Sequence, residues 1–355
     1  MTQLSPSIAE ADGSEGLKPE RTKRERIGVG GRMAFVLGLV VYVALVGLAW
    51  LALSKFLPDQ AHVALLGHGL TLRHLHDRIV GNGALAFLLL PTALAIECAA
   101  VGWEASSARQ LLFDRKASAR TDLAFFLLGQ GHVMDLVGKV LTLGASMLSG
   151  VWIHDRLSAL LGFPLTLVPA QVPAPLQVVV YFGVYSFFDY WAHRVDHSRY
   201  FWPLHRYHHA AEEFYVLTAG RAHPAAFTGL FLVNVPMAIL GASPVAMIYV
   251  NVLVITLGFL IHSRIDSNFG WIGRWIVQSP NHHRLHHVLD ISTQAVGHFS
   301  MAPIWDHLFG TWRGEADQSL VIGVDTDYRH GFWIGPDLIR DYWHFWRGWF
   351  SRAPG

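Results

Sequence analysis

Long uncharged apolar runs constrain this chain more than any other feature. Met33 to Leu53 is apolar without a charge, close to the ~20 residues that a helix needs to cross a bilayer core. Similar runs cover about 83–101, where Pro91 is a tolerable kink, a stretch within 123–151, and about 176–192. Residues 225–261 are apolar almost throughout, broken by Gly241-Ala242-Ser243-Pro244. Each half is short for a full span, so the pair reads as a helical hairpin that enters and leaves on one side. Inside lipid, every backbone polar group must be bonded within its own segment, which makes these runs helical. The expected fold is an all-α polytopic membrane helical bundle of about four spans plus a hairpin. Asp135 and Lys139, one turn apart in the third run, can neutralise each other.

Composition agrees. Only 15% of residues are charged, against about 25% in ordinary soluble domains. A net charge of +1 without a basic stripe argues against a nucleic-acid binder. A single cysteine, Cys98, excludes a disulfide scaffold. Residues 1–32 form a polar, basic tail whose composition predicts disorder. Lys and Arg concentrate there and at Arg109, Arg115, Lys116 and Arg120, whereas 154–175 holds only Arg156. The positive-inside rule therefore places the tail, the second loop and everything after His193 outside the hairpin in the cytoplasm. A bacterial inner membrane is the expected location.

The functional signal lies in histidine. Twelve of the 21 histidines fall between residues 193 and 298. His193 and His197 are spaced i, i+4, which puts both on one helical face. His205, His208 and His209 follow at i, i+3, i+4, expected on one side of a second helix, and His282-His283-Arg-Leu-His286-His287 repeats the spacing. His223 and His262 stand between them. Clustered imidazolium ions would repel, whereas neutral imidazoles converging on a metal are stabilising. Without cysteine in the cluster, iron–sulfur and thiolate-zinc centres are excluded, while imidazole suits iron, zinc, copper and nickel alike. Eight well-spaced rings (His193, His197, His205, His208, His209, His283, His286, His287), with His262 and with His223 or His282, fit two metals at four or five ligands each. Asp189, one turn before His193, and Asp266, one turn after His262, are placed to hold the far nitrogens of those rings.

From about Tyr181 to Trp312 the sequence resembles the membrane-bound di-iron fatty acid hydroxylase and sterol desaturase superfamily. The resemblance runs in order through FFDYWAHRVDH, PLHRYHH, Arg221-x-His-Pro, His262, SPNHHRLHH and IWDHLFGTW. It implies that the eight rings above ligate two iron ions, with His262 a further ligand and His223 and His282 at matching positions. Relatives usually carry Asn-Tyr-Gly or similar before the Trp-Asp segment. Here that stretch is Val296-Gly-His-Phe-Ser300, which puts His298 there as an extra ligand or a pocket residue. The implied activity is O₂-dependent hydroxylation or desaturation of a lipid taken from the bilayer. No cytochrome domain is fused, so electrons would come from a separate ferredoxin- or cytochrome-type donor with its reductase. The competing readings are a zinc hydrolase, for which no box contains the Glu of H-E-x-x-H, and a non-catalytic metal sensor.

The expected organisation is a 1–32 tail, a 33–175 transmembrane region, a 176–315 catalytic domain whose histidine cap faces the cytoplasm, and an aromatic interfacial segment over 316–355. In the last, Trp333, Tyr342, Trp343, Phe345, Trp346, Trp349 and Phe350 surround Arg340, Asp341 and Arg347.

Overall fold

Apolar sequence and proline placement set the central helix. In the computed structural model, helix α5 runs Ala174–Asp196, with Pro175 in its first turn, where no helical N–H is lost. It ends at His197, whose N–H bonds the His193 carbonyl. The structure describes residues 89–114, 116–130, 133–142, 145–169, 171–242, 244–289, 297–315 and 320–350, an antiparallel hairpin of β1 (Gln60–Leu65) and β2 (His68–Arg73), and isolated residues between 44 and 56. The hairpin is the one amendment to an all-α reading among the described residues.

Ahead of α5 lie α1 (89–101), α2 (Ala117–Gln130), α3 (Val133–Thr142) and α4 (Ala145–Leu161). After it come α6 (Trp202–His209), α7 (Pro244–Ile261), α8 (Gly270–Trp275), α9 (Pro280–His286), α10 (Ile304–Leu308) and α11 (Gly335–Phe350). The third apolar run is thus divided among three helices instead of forming one. Among the described residues, no helix is long and apolar enough to cross a membrane. Most of the run from Met33 and the side chains of Asp135 and Lys139 lie outside the described set.

The 225–261 run has the expected broken form. Helical turns over Gly229–Asn234 and Val235–Ile239 stop at Gly241, and α7 follows. Gly241 adopts φ +63° against the Leu165 carbonyl, where a Cβ would have no room. Both limbs pack on α5 through Tyr181, Phe182, Val233, Met237, Ala246, Val250 and Leu257. The buried Tyr181 hydroxyl donates to the Leu240 carbonyl at 3.1 Å, so burying it leaves no orphan.

This packing brings the C-terminal ends of α5, α6, α7 and α9 together. Carbonyl-rich helix ends carry partial negative charge, so their meeting point favours a cation.

Candidate metal centre

Nine histidines occupy those four helix ends and divide into two groups. His193, His197, His205, His209 and His286 form one, and His208, His262, His283 and His287 the other. Within each group, one ring nitrogen per residue lies within 4.8 Å of all the others. Every i, i+4 pair stays together, while the i+3 ring crosses over. His205 and His209 face the first group and His208 the second; His283 and His287 face the second and His286 the first. The expectation that His205, His208 and His209 share one side is corrected accordingly. At about 100° per residue, positions i and i+4 differ by about 40° but i+3 and i+4 by about 100°.

Backbone carbonyls orient three of the rings. His193 Nδ1 donates to Phe299 O at 2.8 Å, His208 Nδ1 to Arg221 O at 3.0 Å, and His262 Nδ1 to Gly258 O at 2.7 Å. A proton on Nδ1 leaves a lone pair on Nε2. The Nε2 atoms of His208 and His262 are nevertheless only 3.3 Å apart. Two lone pairs aimed at each other at that distance need a cation between them. Further Nε2 contacts are His262–His283 at 2.9 Å, His283–His287 at 3.1 Å, His193–His205 at 3.1 Å, His193–His286 at 3.0 Å and His205–His209 at 3.1 Å. Metal–imidazole bonds of about 2.0–2.1 Å, at right or tetrahedral angles, separate neighbouring nitrogens by about 2.8–3.4 Å. The rings therefore fit two ions.

Burial keeps the rings neutral, as ligands must be. It pulls His193 and His262 down to about 4. His205, His208, His209, His283, His286 and His287 are held well below their ordinary value, first by burial and then by neighbouring imidazoles.

The remaining site residues lie elsewhere. His223 uses both nitrogens within the protein, donating from Nε2 to Leu338 O at 2.9 Å and accepting the Ala225 N–H at Nδ1. His282 Nδ1 pairs with Ser279 Oγ at 2.8 Å, beneath the helix cap that Ser279 provides. His298 donates from Nε2 to Gly314 O at 2.7 Å. None of the three joins either group. The far nitrogens of His193 and His262 take carbonyls, so Asp189 and Asp266 do not hold them. Asp266 instead accepts from Asn281 Nδ2 at 3.0 Å, while Asp189 lines the cavity described below. The carboxylate beside a ligand ring is Asp196, 3.9 Å from His205 Nδ1 and accepting from Thr228 Oγ1 at 2.6 Å. Burial raises it to about 7.

Two supporting carboxylates escape sequence reasoning. Asp306 accepts from Phe299 N, Ser300 N and Thr311 Oγ1 at 2.9, 3.2 and 2.7 Å, fixing the strand whose Phe299 carbonyl orients His193. Its place in the Trp-Asp motif was the available signal. Asp122, on α2, accepts from Arg221 Nε at 2.7 Å and Thr218 Oγ1 at 2.8 Å, and no local pattern marks it.

A cavity of about 260 Å³ touches both groups through His193, His205, His208, His262 and His283. Its other walls include Ala192, Leu204, Ala226, Ile261, Phe299 and Met301, with Asp189 and Asp196 as polar points.

Residues 178–311 match the fatty acid hydroxylase family model, a segment that contains all nine rings. This segment is similar to the fatty acid hydroxylase superfamily. Among curated relatives, an ornithine lipid hydroxylase, OlsE, of Rhizobium tropici is 28% identical over 167 residues, 46% of this chain and 50% of the relative. The alkylglycerol monooxygenase of Xenopus tropicalis is 29% identical over 143 residues, 40% of this chain and 31% of the relative. The Homo sapiens enzyme of that name is 28% identical over 136 residues, 38% and 30% respectively. The chain thus spans half or less of the length of these relatives. No solved structure matches the chain.

Proposed function

We propose that this protein is an integral-membrane, O₂-dependent lipid hydroxylase with a non-haem di-iron centre. The observation that carries the proposal is the division of nine histidines, six buried and three half-buried, into a five-ring and a four-ring group around one cavity. When bound, two ferrous ions supply the reduction of O₂ and the attack on an unactivated C–H bond. The first group would hold one ion and the second the other.

The chain itself does the remainder. Its cavity is smaller than the ~300–1,000 Å³ of sites that engulf drug-sized ligands, so it takes a segment of a lipid. Ala192, Leu204, Ile261 and Met301 give that segment an apolar wall and exclude water. Phe299, Arg221 and Gly258 carbonyls keep three ring nitrogens aimed inward. Asp196, whose carboxyl burial raises above its ordinary value, can pass a proton beside the His205 ring. The named relatives act on an ornithine lipid and an alkylglycerol, which supports a lipid substrate here, hydroxylated rather than desaturated. The apolar runs and the basic tail favour a bacterial inner membrane with the histidines on the cytoplasmic side. Electrons come from a separate one-electron carrier.

Metal analysis of detergent-purified, chelator-washed protein tests this reading. Two irons per chain, lost on His208→Ala or His286→Ala, is the expected result. One zinc per chain, or full iron in both variants, overturns it.

A further inference from the structure

His282 and His298 are buried, 4% and 0% exposed, yet ligate nothing in either group. Their rings stack at 5.0 Å and 23°, and each packs edge-on against Trp312 at 4.6 Å. Trp312 stacks on His307 at 4.3 Å, and His307 on Trp275 at 4.0 Å. At the surface, the exposed Arg274 places its guanidinium 5.7 Å over Trp275, and its carbonyl accepts from His307 Nε2 at 3.0 Å. The result is an unbroken column of five rings leading inward from a half-buried tryptophan.

The inner end of the column is joined to both metal groups through the backbone. His282 directly precedes His283 of the four-ring group. His298 directly precedes Phe299, whose carbonyl takes the His193 Nδ1 proton. The Phe299 ring also packs edge-on against His193, His197 and His286 of the five-ring group, at 5.5, 5.3 and 5.4 Å.

Holding this arrangement is costly. His298 is a non-glycine residue at φ +21°, in the left-handed region that side chains rarely adopt. Its Nδ1 is buried without a hydrogen-bond partner among the described residues, a further penalty. An apolar ring in the same place would avoid that buried orphan but would leave the Gly314 carbonyl without its donor, so packing alone does not explain a histidine here.

We propose that Trp275, His307, Trp312, His282 and His298 form the route by which electrons from a one-electron carrier protein reach the metal pair. The inference rests on the di-iron reading above. Each turnover converts R–H, O₂, two electrons and two protons into R–OH and water. Two carrier molecules are each oxidised by one electron, and two ferric ions become ferrous. The rings couple donor and acceptor through contacting π-systems and are themselves neither oxidised nor reduced, so no bond forms or breaks along the column.

The test uses the full, iron-loaded chain with Cys98→Ser and Arg274→Cys, a ruthenium photosensitiser being attached at position 274. Iron content is read first, and the loss of ferric absorbance after a flash is then followed. Trp312→Leu and His307→Leu should each slow this photoreduction by an order of magnitude with iron content at the parental level. Trp312→Phe keeps a ring in the column and should stay close to the parental rate. So should Phe309→Leu, which lies in the neighbouring cluster with Tyr190, Trp191 and Trp305. His307 is half-exposed, so its variant remains informative should Trp312→Leu fail to fold. Parental rates in His307→Leu and Trp312→Leu with both irons present overturn the route alone, as does slowing confined to Phe309→Leu. A chain without iron overturns the di-iron reading and the route with it.

Discussion

Removing the Asp122 carboxylate should damage both stability and the four-histidine group. Asp122 and Arg221 form an ion pair with both side chains 0% exposed. Arg221 Nη2 also donates to Ser118 O and Oγ at 2.9 Å, and Asp122 accepts from Thr218. Asp122→Ala leaves a buried guanidinium with only Ser118, a loss of about 3–5 kcal/mol for a broken buried pair. That is a large share of the ~5–15 kcal/mol that holds a typical domain together. The effect should travel further, because the Arg221 carbonyl receives the His208 Nδ1 proton at 3.0 Å. Loosening such a partner typically lowers metal affinity about 10–100-fold. Denaturant titration in detergent measures the first effect, and iron release to a competing chelator the second. Asp122→Leu with Arg221→Met should recover much of the stability, since apolar replacements of buried pairs are often neutral. Less than about 1 kcal/mol lost in Asp122→Ala, with parental iron affinity, would refute the reasoning.

Acidification should destabilise the metal-free protein. His193 and His262 are lowered to about 4 in the fold, from about 6.5 in the unfolded chain. The fold prefers their neutral form, so the stability they contribute is complete above about pH 6.5 and is lost as pH falls towards about 4. Melting temperatures of chelator-treated protein across that window check the sign; a flat profile contradicts it. His223→Ala should keep both irons, because both nitrogens of that ring already bond protein groups, and metal analysis decides. Asp306→Ala removes three hydrogen bonds from the 299–311 segment, and should cost about 1–3 kcal/mol in a denaturant titration. It should also weaken iron at the five-ring group by freeing the Phe299 carbonyl.

The spacing of the histidine boxes was legible because helix geometry is local. Residues i and i+4 share a face whatever surrounds the helix, so the pairs His193/His197, His205/His209 and His283/His287 could be read from residue numbers. The number of metal groups followed from counting rings, and the helical hairpin from the Gly241 interruption. The supporting partners were not legible in the same way. Asp189 and Asp266 were sensible candidates by spacing, but the atoms that meet His193 and His262 are carbonyls, and every residue carries one. Nothing in a sequence says which carbonyl will arrive.

The sequence by itself determined that histidines at helical spacing would gather on helix ends, within a segment that resembles the fatty acid hydroxylases. Tertiary structure alone decided which ring joins which group. His208 departs from His205 and His209, and His286 from His283 and His287, because a helix offers two faces and only its neighbours choose between them. Packing likewise brought Asp122 to Arg221 across 99 residues and stacked Trp275 to His298 into one column. Such contacts depend on where helices settle against one another, which no local periodicity encodes.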